Sequence, residues 1–131
     1  MKRVTGIGGI FFRSADPAKL NAWYREHLGI ETREEGTVFH WRDAEDPTRK
    51  GYTVWSPFPA DTGYFQPSTR QFMMNYRVEN LVALLEQLKR EGVEIVGQVE
   101  EYPYGKFGWI MDPEGTKIEL WEPIDEKLNA P

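Results

Sequence analysis

Apolar and polar positions alternate along most of the chain, and a helical spacing replaces the alternation in two places. Residues 7–13 read as a strand interrupted by Gly8-Gly9. Asp16-Pro17 then supplies an N-cap and a first-turn proline, and Leu20, Trp23, Tyr24 and Leu28 recur at helical spacing until Gly29. Three short strands are predicted next, over 30–34, 37–42 and 51–56, with a charged hairpin tip between the last two. Residues 56–68 contain Pro57, Pro59 and Pro67 without any period and read as a linker. Its Phe58, Tyr64 and Phe65 require burial, which places the linker against the binding site or a dimer contact. From Phe72 the order starts again: a strand over 72–78, and a helix capped by Asn80 with a stripe of Leu81, Leu84, Leu85 and Leu88. Strands over 93–101, 107–111 and 116–121 follow, the first broken near Gly97.

The second half therefore repeats the first. Phe39-His40-Trp41 matches Phe107-Gly108-Trp109, and Trp55-Ser56-Pro57 matches Trp121-Glu122-Pro123. The fold class is α+β: two βαβββ modules, roughly 1–66 and 67–123, make one domain, with helices outside and residues 124–131 as a frayed tail. The clearest stretch is the last. Asp112-Pro113-Glu114-Gly115 is a turn signal, and the strand after it alternates strictly. Ile118 and Leu120 point one way; Lys117, Glu119 and Trp121 point the other. Trp121 is costly to leave in water, so that second face is either a pocket or an edge with an exposed Glu119.

Composition narrows the partners. A net charge of −5 without a basic cluster argues against nucleic acid. The chain has no cysteine, which removes disulfides and thiolate metal sites. No apolar run is long enough to cross a membrane, and a cytoplasmic location is expected. Aromatic residues reach 14%, with 5 Trp, so flat apolar surface is needed somewhere. Period-two alternation carried through the repeat assigns the pocket to Phe11, Arg13, Phe39, Trp41, Thr53, Trp55, Met73, Asn75, Arg77, Phe107, Trp109, Glu119 and Trp121. Arg13 and Arg77 are candidates to clamp a carboxylate, or to pair with acidic groups at the rim. His40 has the opposite parity and is expected to face a helix. His27 sits near a helix C-terminus, where a cation suits the dipole.

The paired modules, Ala22-Trp23-Tyr24-Arg25-Glu26-His27-Leu28-Gly29, and Asp112-Pro113-Glu114-Gly115-Thr116-Lys117-Ile118-Glu119-Leu120 together resemble the vicinal oxygen chelate superfamily. That group includes glyoxalase I, extradiol dioxygenases, methylmalonyl-CoA epimerase and the fosfomycin- and bleomycin-resistance proteins. The resemblance spans nearly the whole chain. It implies curled mixed sheets closing around a cup, often in a homodimer, with a divalent metal in many members. The metal-ligand positions fall on Gly9, Thr53, Met73 and Glu119, of which only Glu119 is a competent ligand. The expectation is a cup without metal or other cofactor. Its expected function is to bind a small aromatic or apolar molecule, as the resemblance to the bleomycin-resistance branch implies. A lyase or isomerase using Glu119 as general base is the alternative, and metal-dependent chemistry comes last.

Overall fold

Seven strands hydrogen-bond into one sheet in a computed structural model, which describes residues 3–124; most of the expected tail, 125–131, lies outside the described residues. In chain order they are β1 (Val4–Ser14), α1 (Pro17–Leu28), β2 (Thr37–Arg42), β3 (Lys50–Pro59), β4 (Phe72–Val78), α2 (Leu81–Arg90), β5 (Ile95–Tyr102), β6 (Gly105–Met111) and β7 (Lys117–Pro123). The sheet order is β2-β3-β1-β4-β7-β6-β5. β1 runs antiparallel to β4 at the centre and joins the two modules into a continuous surface. No helix among the described residues is long and apolar enough to cross a membrane.

Local sequence accounts for the helix ends. Asp16 accepts from the Lys19 N–H and Asn80 from the Ala83 N–H, each at 3.1 Å, satisfying donors the first helical turn leaves free. α2 lays Leu81, Leu84 and Leu85 on Val78 and Leu120, with Tyr76, Ile110 and Ile118 beside them. α1 packs more lightly. Tyr24 meets Trp55 with ring centroids 4.8 Å apart, but Trp23 and Leu28 of the predicted stripe stay exposed.

The sheet is curled. Tyr52 on β3 and Trp121 on β7 are three strand spacings apart, about 14 Å in a flat sheet. Their ring centroids are 5.3 Å apart. Gly8 lies on the concave surface between them: a Cβ there would come within 2.1 Å of Asn75 Oδ1 and 3.0 Å of the Trp121 ring. Glycine is needed at that position because the strand is roofed by its neighbours' side chains.

One predicted strand does not form. Residues 30–34 contribute only the Arg33–Gly36 bridge, so module one is βαββ while module two is βαβββ. The segment's polar groups go to α1 instead of a ladder. Thr32 Oγ1 donates to the Asn21 carbonyl at 2.7 Å, and the Arg25 guanidinium donates to the Thr32 carbonyl at 3.3 Å. Asn21 Nδ2 donates to the Glu34 carbonyl at 3.4 Å. A backbone satisfied in this way has no need of a sheet neighbour.

Candidate functional site

The concave face is lined where the sequence places it in module two and differently in module one. Met73, Asn75 and Arg77 on β4, Phe107 and Trp109 on β6, and Glu119 and Trp121 on β7 all face inward, opposite the helix-facing Tyr76, Ile110, Ile118 and Leu120. Phe11 shares that face through its register with Met73. β3 is inverted relative to expectation. Trp55 packs on Phe12 and Tyr24 under α1, and Thr53 donates to the Ile7 carbonyl on the same outer side. Phe39, which registers with Thr53, points outward too and is 46% exposed. Tyr52, Val54 and Phe58 line the inside in their place, and His40 registers with Tyr52 and faces inward. Matching Trp55 to Trp121 slips the repeat by an odd number of residues, and an odd slip reverses every side chain of a strand.

Trp41 reaches the site by another route. Its ring lies against Gly51, where a Cβ would come within 2.4 Å, and its indole N–H donates to Thr53 Oγ1 at 2.9 Å. From there it approaches the Arg77 guanidinium at 5.3 Å, which Tyr52 and Trp121 also flank at 5.5 and 5.2 Å. Arg77 is 3% exposed and its cation sits among three ring faces. Arg13 does something other than clamp a carboxylate. It donates to the carbonyls of Ala60 and Thr62 at 2.9 and 2.8 Å and lies over the Phe65 ring. It ties the segment after β3 to β1.

That segment closes one half of the concave face. Phe65 is fully buried among Phe11, Met73 and Trp109. Tyr64, whose ring is partly exposed, sends its hydroxyl inward to donate a short hydrogen bond to Glu119. Asn75 Nδ2 donates to the other carboxylate oxygen, Oε1, at 2.6 Å, and the Trp109 indole N–H donates to Oε2, the oxygen Tyr64 uses, at 2.9 Å. Lys117 Nζ donates to the Tyr64 carbonyl at 2.7 Å. Burial pushes the Glu119 carboxyl above its ordinary value, against the pull of Tyr64, Asn75, Trp109 and the Lys117 charge. Burial also pushes the Tyr64 hydroxyl up, with the Glu119 charge second, and pushes the Lys117 ammonium down.

These residues do not fit a divalent metal. Three hydrogens already point at the two Glu119 oxygens, and an indole N–H has no lone pair to give. Met73 is packed in hydrocarbon, Gly9 has no side chain, and Thr53 is on the other face. Among the described residues no group of three His, Asp or Glu side chains comes together to hold an ion.

The other half of the face carries a run of rings. His40 meets Tyr52 with centroids 6.1 Å apart, and Tyr52 meets Trp121 at 5.3 Å. Trp121 stacks on Phe107 at 5.7 Å, and Phe107 meets Tyr102 and Tyr104 edge-on at 5.8 and 5.7 Å. Both ends are exposed, at His40 and at the stacked Tyr102 and Tyr104. Tyr52, Tyr64, Tyr102 and Tyr104 are absent from the sequence-derived pocket. Tyr64 had a signal, an aromatic residue in a proline-rich linker; Tyr102 and Tyr104 flank a turn, where alternation gives no face.

The model of the Glyoxalase/Bleomycin resistance protein/Dioxygenase superfamily matches residues 6–120. Among solved structures, methylmalonyl-CoA epimerase from Mycobacterium tuberculosis aligns at 22% identity over 99% of this chain and 95% of its own, with a TM-score of 0.63. A Streptomyces coelicolor methylmalonyl-CoA epimerase in complex with 2-nitronate-propionyl-CoA aligns at 15% identity over 92% and 99%, with a TM-score of 0.67. A superfamily member from Vibrio splendidus aligns at 12% identity over 88% and 97%, with a TM-score of 0.56. At these identities the likeness is one of fold. No curated protein matches.

Proposed function

This chain belongs to the Glyoxalase/Bleomycin resistance protein/Dioxygenase superfamily, and from that premise we propose that it binds a small, planar aromatic or apolar molecule in its cup without a metal ion. The observation that carries the reading is the run of rings from His40 to Tyr104 along the concave face, buried at Tyr52 and Trp121 and exposed at its two ends, His40 and Tyr102 with Tyr104. Such a surface gains dispersion and stacking from a flat ligand that a polar ligand cannot supply.

A screen of aromatic fragments by ligand-observed NMR is expected to give binders that compete with one another. Phe107→Ala should weaken them tenfold or more, about 1.4 kcal/mol, by removing the stacked partner of Trp121. Trp55→Leu, on the outer face, should leave their affinity unchanged while lowering stability. Fragments that bind equally well to the Phe107 variant would refute the assignment.

A second reading, a lyase or isomerase with Glu119 as general base, is favoured by one observation: the carboxyl is raised by burial and hydrogen-bonded to a tyrosine hydroxyl. Glu119 is 2% exposed beneath Tyr64, so a substrate would need the segment above it to move. Deuterium exchange into a bound fragment in heavy water, lost in Glu119→Gln, would favour this reading over simple binding.

A further inference from the structure

The two modules differ at one place, and the difference leaves a slot. In module two, β5 pairs antiparallel with β6 at the sheet's edge. β2 is the module-one counterpart of β6, and it ends the sheet on the other side. Residues 30–34, which would be its neighbour, are turned onto α1 by the Thr32, Asn21 and Arg25 hydrogen bonds. Between them runs a groove of about 520 Å³, with the edge of β2 on one side and Ile30, Glu31 and Arg33 on the other.

The backbone chemistry of that edge follows from register. β2 pairs with β3 so that Phe39 opposes Thr53 and His40 opposes Tyr52. The Asp43 N–H donates to the Arg49 carbonyl at 3.0 Å in the same register. Hydrogen-bonded pairs alternate in an antiparallel ladder, so Trp41, Phe39 and Thr37 bond to β3. Val38 and His40 therefore aim their N–H and C=O groups away from β3, into the groove. The two edges of the sheet are unequal. β5 has a register shift between Val96 and Glu100 and carries Glu100 and Glu101, features that discourage edge pairing. β2 is regular and exposes Val38 and Phe39.

We propose that the groove beside β2 binds an extended peptide strand of a partner polypeptide, hydrogen-bonded to the backbone of Val38 and His40. The occupant is a strand because the repeat fills the equivalent place with one, β5, and because alternating backbone donors and acceptors match an extended backbone. It is a single strand rather than the edge of a second copy's sheet, because Ile30, Glu31 and Arg33 wall the far side. This site adjoins the aromatic run on the concave face and shares His40 with it: the run uses the imidazole ring, the groove the backbone.

The test pans a displayed library of random heptapeptides on the whole chain and titrates one recovered peptide, made synthetically. Amide hydrogen exchange read by NMR should slow at Val38 and His40 in the complex, and stay as it was at Phe39 and Trp41. Val38→Pro removes an outward N–H at an edge position, where proline is tolerated, and keeps the bonds to β3. It should weaken the peptide tenfold or more. Panning that recovers no peptide, binding unchanged in V38P, or protection confined elsewhere overturns the proposal. So does slowing of Val38 and His40 in concentrated protein alone, which would assign the edge to a second copy. If V38P does not fold, the exchange pattern of the unaltered protein decides by itself.

Discussion

Phe65→Ala is expected to lower the unfolding free energy by about 3–5 kcal/mol, the usual cost of removing a fully buried phenylalanine. Phe65 has no exposed surface, and its ring meets Phe58 at 5.3 Å beneath the Arg13 guanidinium. In the segment after β3 Tyr64 also stacks on Phe58 and meets Trp109 edge-on, but Phe65 is its one fully buried aromatic ring. Arg13 and Lys117 hold it through carbonyls, and such charge-assisted bonds add about 1.5–3 kcal/mol each net. Losing Phe65 should therefore free Tyr64 as well and admit water to Glu119. Urea denaturation measures the loss, and faster amide exchange along 60–68 should accompany it. A loss below about 1 kcal/mol would show that the aromatic plug does not hold the segment.

The legibility of this fold tracks how many independent constraints each strand carries. β7 had three: the turn before it, strict alternation, and a tryptophan that needed cover. Its face is as read, and the turn is built as the sequence suggests, with Asp112 Oδ1 accepting from the Glu114 and Thr116 N–H groups at 2.8 and 2.9 Å. β3 had only alternation and a motif match. Trp55 fits under a helix as well as in a cup, and nothing local distinguishes the two. Residues 30–34 look like a strand in composition, but their fate depended on hydrogen bonds to Asn21 and Arg25 in a helix several residues earlier. The linker was legible as a covering segment from its aromatics and prolines. That Tyr64 rather than an arginine would reach Glu119 was not, because contacts between a loop and a distant strand leave no period in sequence. Arg13 illustrates the same limit: its position on the concave face was readable, its partners, two loop carbonyls, were not.

Glu119→Leu is expected to cost about 2–6 kcal/mol at pH 5, and less at pH 8. The first number comes from the donors it strands. Asn75 Nδ2 and the Trp109 N–H are buried and would each lose their acceptor, at about 1–3 kcal/mol apiece. The Tyr64 hydroxyl points inward and loses its acceptor too, but the residue is 38% exposed and can swing out to water, so it adds less. The pH dependence comes from the carboxyl itself, which burial holds above its ordinary value in the folded chain. The folded state then binds a proton at a pH where the unfolded state, with a carboxyl near pKa ~4.3, has released it. Unfolding releases that proton, so the contribution is full below the unfolded value and is lost as pH rises through the folded one. The leucine variant has no such titration. The gap between wild type and variant should therefore narrow from pH 5 to pH 8, measured by urea denaturation at each pH. A gap that widens over that interval would mean that the three donors and Lys117 outweigh burial and hold Glu119 below its ordinary value, which would also remove the ground for treating it as a base.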